Sequence, residues 1–137
     1  MRTHTDVIAE YYAAFNRREQ EVYARLFTKD CELVAPGVQV TGIDAMRTFD
    51  KAWNSAFSEA RIESLRMMES EGAVLSGNWF HGGTHTQPLQ TPAGAIPALG
   101  RSFAAPYCAT FEFDGERIKT QRIVFDADYV PAALGAR

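Results

Sequence analysis

Residues 107–125 read YCATFEFDGERIKTQRIVF. Apolar and polar residues alternate on both sides of Asp114-Gly115-Glu116, and a glycine-containing break between two such runs is a hairpin signal. The stretch predicts two antiparallel strands, Arg101 to Phe113 and Arg117 to Phe125. The same reading extends upstream, where Arg61 to Met68 and Ala73 to Thr86 are joined across Glu69-Ser70-Glu71-Gly72. The Pro/Gly-rich run Gln87 to Gly100 between the two pairs predicts a long loop, of a length that often carries function.

Upstream of Arg61 the period is helical. Thr5 or Asp6 is placed to cap a helix that buries Val7, Ile8, Tyr11, Tyr12, Ala14 and Phe15. After Asn16-Arg17-Arg18 a second helix, about Glu19 to Thr28, buries Val22, Tyr23, Leu26 and Phe27. A short strand (Cys31 to Ala35), a Pro36-Gly37 turn and an extended piece from Gln39 to Thr41 follow. Ile43, Met46, Phe49, Trp53 and Phe57 then form one stripe of a third helix. Asp6, Asp44 and Asp50 read as helix-start and solvent-face acids without function. The tail, Asp126 to Arg137, has room for one short turn of helix. Helices first and strands last predict an α+β fold, with three helices packed on one face of a curved antiparallel sheet, in a single domain over residues 1–137.

Composition narrows the partners. A formal charge of -3 with interspersed signs offers no basic footprint for nucleic acid or an anionic membrane surface. No apolar run is long enough for a signal peptide or a membrane span, so a cytoplasmic protein is expected. Cys31 and Cys108 stand alone and read as buried, inert thiols. No cofactor or metal is expected.

Several stretches together resemble a known family. Tyr11-Tyr12-Ala13-Ala14-Phe15-Asn16 is similar to the opening helix of the SnoaL-like polyketide cyclases, a branch of the cone-shaped NTF2-like superfamily that also holds the ketosteroid isomerases. Gly83-Thr84-His85-Thr86 resembles the family's mid-sheet signature, and Pro97-Ala98-Leu99-Gly100-Arg101 its loop exit. Phe111-Glu112-Phe113-Asp114-Gly115, Phe125-Asp126 and Leu134-Gly135 resemble its ending. The resemblance implies a cone-shaped cavity, acid/base chemistry without a cofactor, and a homodimer. It places the isomerases' general base at Ala35, the acid or histidine position at Ala109 and the cyclases' aspartate at Ile123, all aliphatic here. Tyr11 matches the isomerases' oxyanion-binding tyrosine.

Strand parity supplies the remaining candidates. Tyr107, Ala109 and Phe111 are expected to face the cone interior with Gln121, Ile123 and Phe125 of the next strand. Leu75, Gly77, Trp79 and His81 are expected to join them from the strand before. Phe15, Trp53 and Phe57 close the wall from the helices, and Phe80, Cys108, Thr110 and Val124 form an outward row suited to a dimer contact.

His81 is the candidate base and Tyr11 and Tyr107 the candidate hydrogen-bond donors, with Phe15, Trp53, Phe57, Trp79, Phe111, Gln121, Ile123 and Phe125 lining the ligand site. His81 reads equally as a core histidine bonded to a carbonyl. Two functions stay open: an isomerase or cyclase acting on a small lipophilic carbonyl compound of polyketide or steroid type, and a binding protein that keeps the cavity without the chemistry.

Overall fold

A computed structural model describes residues 3–57, 59–84, 87–91, 94–96 and 102–125. The first helix, α1 (His4–Arg17), begins one turn earlier than its expected caps. Thr3 accepts from the Asp6 amide and Asp6 accepts from the Thr3 amide, closing a capping box. It ends where Arg18 takes the left-handed conformation (φ 63°). Asn16 then fastens this end to the sheet, its amide group bonding both the N–H (2.7 Å) and the C=O (2.9 Å) of Ile62 as a neighbouring strand would.

The second helical segment is shorter than the apolar spacing suggests. A 3-10 turn (Gln20–Val22) and a single turn, α2 (Tyr23–Leu26), lead directly into strand β1 (Phe27–Ala35). The segment that starts at Phe27, which buries Phe27, Cys31, Leu33 and Ala35, is captured by the sheet, because pairing with a neighbouring strand outweighs the weak preference of so short a helix. Strand β2 (Val38–Thr41), helix α3 (Ile43–Ala56), strands β3 (Arg61–Ser70) and β4 (Ala73–Thr84) follow. The β3–β4 turn has positive φ at both central residues, Glu71 (53°) and Gly72 (84°), the hand that suits a two-residue hairpin. Within the stretch expected to be a loop, β5 (Leu89–Thr91) and β6 (Gly94–Ile96) pair with each other. Strands β7 (Ser102–Asp114) and β8 (Arg117–Val124) complete the order.

The six-stranded sheet runs β2-β1-β8-β7-β4-β3 and is mixed rather than wholly antiparallel. Strand β1 lies parallel to β8, with Leu33 opposite Gln121, while the other neighbours are antiparallel. The parallel contact joins residues nearly ninety positions apart, beyond the reach of any hairpin signal. Three helices pack on one face, so the α+β architecture holds with that one pairing corrected. The core between the layers centres on Ile8, Tyr11, Tyr23, Leu26, Phe27, Leu33, Met46, Phe111 and Ile118, all essentially without solvent contact. Burying such side chains contributes roughly 1.5–3 kcal/mol each.

Register fixes which side chains face this core. Val74, Ser76, Asn78 and Phe80 of β4 stand opposite Phe111, Ala109, Tyr107 and Ala105 of β7 on the concave face. Ala109 and Phe111 in turn face Ile123 and Gln121 of β8. The parity expected for β7 and β8 is therefore the observed one, whereas that of β4 is inverted. Leu75, Gly77, Trp79 and His81 point away from the helices, and Phe80 points toward them. The cause is chemical: the inward places at Ser76 and Asn78 look polar in sequence, yet they form a buried chain in which Ser76 Oγ bonds Asn78 Oδ1 (2.6 Å) and Asn78 Nδ2 donates to the Tyr12 hydroxyl (2.9 Å).

Candidate functional site

Among the described residues, helices α1 and α3 and strands β3, β4, β7 and β8, with Phe125 just beyond β8, line a partly open cavity of about 180 Å³. From the helices come Tyr11, Phe15, Phe49, Asp50 and Trp53, and from the sheet side Ile62, Phe80, Ala105, Pro106, Tyr107, Gln121, Ile123 and Phe125. Trp53 meets Phe80 edge to face at 5.3 Å between ring centres and Phe125 at 6.5 Å. The described walls are thus mostly apolar, with side-chain polar atoms from Asp50, Tyr11, Tyr107 and Gln121.

Asp50 is the group sequence reading missed. It lies in the middle of α3, one turn after Met46 and one before Trp53, and so on the apolar stripe rather than the solvent face. Its side chain is 4 % exposed. The readable signal was an acid at i+4 and i−3 from the large apolar residues of an otherwise amphipathic helix.

The Tyr11 hydroxyl donates to Asp50 Oδ2 at 2.9 Å and lies 3.3 Å from Gln121 Oε1. Among the described residues, Asp50 Oδ1 has no hydrogen-bond partner. Burial raises the Asp50 pKa to about 7, against the lowering influence of the Tyr11 hydroxyl and, after it, of Tyr23. The Tyr23 hydroxyl acts on the carboxylate without completing a hydrogen bond among the described residues.

The tyrosines around this acid remain protonated. Burial, with the Asp50 charge next, pushes Tyr11 well above its ordinary range. Tyr107 is driven up by burial and then by Tyr12, and Tyr12 itself by burial to about 12. They serve as neutral donors, while Asp50 alone among the lining residues can change charge near neutrality.

The other expected site residues divide by position. Tyr11, Phe15, Trp53, Tyr107, Gln121, Ile123 and Phe125 line the cavity. Phe57 and Phe111 are buried but stand behind the wall, Phe57 against Trp53 and Phe111 against Tyr11 and Tyr12. Trp79 and His81 lie on the outer face. His81 Nε2 sits 2.8 Å from Glu63 Oε1, and with the two side chains 27 % and 49 % exposed the pair is screened by water. His81 therefore touches neither the cavity nor the core.

Ala35 and Ala109 are buried core residues and Ile123 is a wall residue, so none of these three places offers a titrating group. Phe80 leaves the outward row expected for a dimer, on which Cys108 and Val124 remain exposed. The exposure of Cys108 corrects the expectation of two buried thiols. His85, Asp126, Pro97 to Arg101 and the C-terminal tail lie outside the described residues. Among the described residues no group of three or more His, Cys, Asp or Glu side chains could hold a metal ion, and no helix is long and apolar enough to cross a membrane.

The fold matches TsrD from Streptomyces laurentii with a TM-score of 0.84 at 19% identity, covering 97% of this chain and 95% of that one. A SnoaL-like polyketide cyclase from Agrobacterium tumefaciens matches at 0.81 and 16% identity, covering 98% and 100%. A protein of ketosteroid isomerase-like fold from Catenulispora acidiphila, solved in complex with trimethylamine, matches at 0.78 and 14% identity, covering 95% and 92%. At these identities the likeness is one of fold. No curated protein matches the sequence. Residues 8–121 match the SnoaL-like domain, and with the helices-on-sheet cone observed here the chain belongs to the SnoaL-like domain family.

Proposed function

We propose that the cavity binds a small lipophilic carbonyl compound and that Asp50 moves its proton in a cofactor-independent isomerisation or cyclisation. The observation that carries this reading is a buried carboxyl group held near pKa 7, with one oxygen fixed by Tyr11 and the other without a partner, in an otherwise apolar cavity. A general base works best when its pKa lies near the working pH. In the step, Oδ1 takes a proton from the carbon next to the carbonyl, the C–H electron pair becomes the new C=C bond, and the C=O π pair moves onto the oxygen as an enolate. The Tyr107 hydroxyl or the Gln121 amide donates to that oxygen. Return of the proton to a second carbon gives the isomer; alternatively the enolate carbon attacks a second carbonyl carbon of the same molecule, that carbonyl's π pair moves onto its oxygen, and the proton held on Asp50 is delivered to it to give the cyclised alcohol.

A dry cavity of ~150 Å³ accepts benzene, so the inner space of about 180 Å³ has room for at least one ring, and the rest of a ligand can extend through the open mouth. The aliphatic residues at Ala35, Ala109 and Ile123 favour a second reading, a binding protein without turnover.

Hydrogen–deuterium exchange into one- and two-ring enolisable ketones, followed by NMR across pH 5–9, separates the two. Catalysis predicts exchange that rises with pH to a plateau above about 7 and is abolished by Asp50→Asn. Ligand-induced shifts without exchange would leave the binding reading in its place.

A further inference from the structure

The cavity has a second property that proton transfer does not use. Among the described residues Asp50 is its single acid, and no described Lys, Arg or His lines it. The influences on Asp50 are its burial and the Tyr11 and Tyr23 hydroxyls, none of them cationic; Arg18 and Arg47 act on Tyr23 instead. From the sheet side the facing polar groups are Tyr107 of β7 and Gln121 of β8, both uncharged. An ionised carboxylate in such a place lacks the counter-charge that buried ions ordinarily have.

The walls supply the complementary half. Trp53 follows Asp50 by one helical turn, and Phe49 precedes it by one residue. Phe80 and Phe125 close around Trp53 edge to face, and Tyr107 faces the same space. Aromatic faces attract cations, tryptophan most strongly, and the attraction grows where water is excluded. A metal ion would demand several oxygen or nitrogen ligands that these walls lack. An organic cation needs only one carboxylate oxygen and apolar surface for its alkyl groups.

We propose that the cavity is a binding site for a small organic ammonium ion, its charge set against Asp50 Oδ1 and its alkyl groups against Trp53, Phe80 and Phe125. The site shares its acid with the proposed reaction but not its chemistry, so ammonium and ketone compete for one oxygen. The ion binds the ionised acid and must displace a proton below neutrality. Affinity therefore rises with pH through the neutral range and levels off above it.

Calorimetric titration of the full chain with choline and with its neutral carbon isostere, 3,3-dimethylbutan-1-ol, tests this. Choline should bind at pH 8 at least about tenfold more tightly than the isostere. Its affinity should fall about tenfold by pH 6 with proton uptake by the buffer, and Asp50→Asn should reduce it to the isostere's level. Equal binding of both probes at pH 8 would overturn the ammonium site and leave the lipophilic cavity standing. Failure of choline to bind while ketones exchange their protons would overturn it and leave the proposed reaction standing. Absence of both binding and exchange would end the two readings together.

Discussion

The two faces of the sheet treat ionisable groups in opposite ways. On the outer face His81 and Glu63 form a close pair, 2.8 Å apart, yet both keep contact with water. Over the concave face Asp50 of α3 has the Tyr11 hydroxyl as its hydrogen-bond donor and almost no solvent, and burial drives its pKa to about 7. Proximity of an acid and a base is thus a poor guide to reactivity, because water screens an exposed pair until it is worth little. A single acid in an apolar cavity is the more responsive group, since every change in its charge is felt through a low dielectric.

The comparison breaks most visibly at Asp50. Asp50→Asn should lower turnover by about 10²- to 10⁴-fold in the exchange assay, the share a positioned base contributes. The same change should stabilise the fold at high pH. The carboxyl has a folded pKa of about 7, raised from its ordinary 3.8, so between those values the native state binds more protons than the unfolded one and stability falls as pH rises. The penalty, fully present above about pH 7, is at most roughly 4 kcal/mol. Denaturant unfolding at pH 4 and pH 8 should show the wild type losing stability across this window and Asp50→Asn losing much less.

Neighbouring residues on β4 sharpen the contrast. Phe80→Ala, inside against Phe15, Trp53 and Phe57, should cost about 2–3 kcal/mol, somewhat below a fully buried Phe. Trp79→Ala, one residue away on the outer face, should cost about 1 kcal/mol or less. Equal losses in urea midpoints would mean that the two faces do not differ as described.

Tyr11→Phe removes a hydrogen bond that holds the Asp50 pKa down. The pH profile of exchange should move alkaline by about one to two units, from the ~1.5–3 kcal/mol that bonds to charged groups contribute. An unmoved midpoint would show that Tyr11 does not tune the acid. The smallest effect belongs to His81→Ala, which should change stability by less than about 1 kcal/mol and leave exchange within twofold.

The helices were legible wherever an apolar stripe repeated, as in α1 and α3, because a helix face is a local property set by spacing. The hairpin turns were legible for the same reason, each being decided by two or three residues. Periodicity alone could not assign the β4 face. Along Leu75-Ser76-Gly77-Asn78-Trp79-Phe80-His81 both alternations carry large and polar side chains, so a one-residue choice reverses every member. The buried bonds of Ser76 and Asn78 to each other and to Tyr12 decide it.

The amino-acid order by itself determined α1 and α3, the β3–β4 and β7–β8 hairpins, the family and most of the aromatic wall, since each depends on neighbours in the chain or on short motifs. Tertiary structure alone decided the parallel join of β1 to β8, the outward turn of His81, and the character of Asp50. An acid's pKa is set by what excludes water from it. For Asp50 that shell comes from Tyr11 on α1, Tyr23 on α2, Tyr107 on β7 and Gln121 on β8, groups that meet only when the sheet closes against the helices.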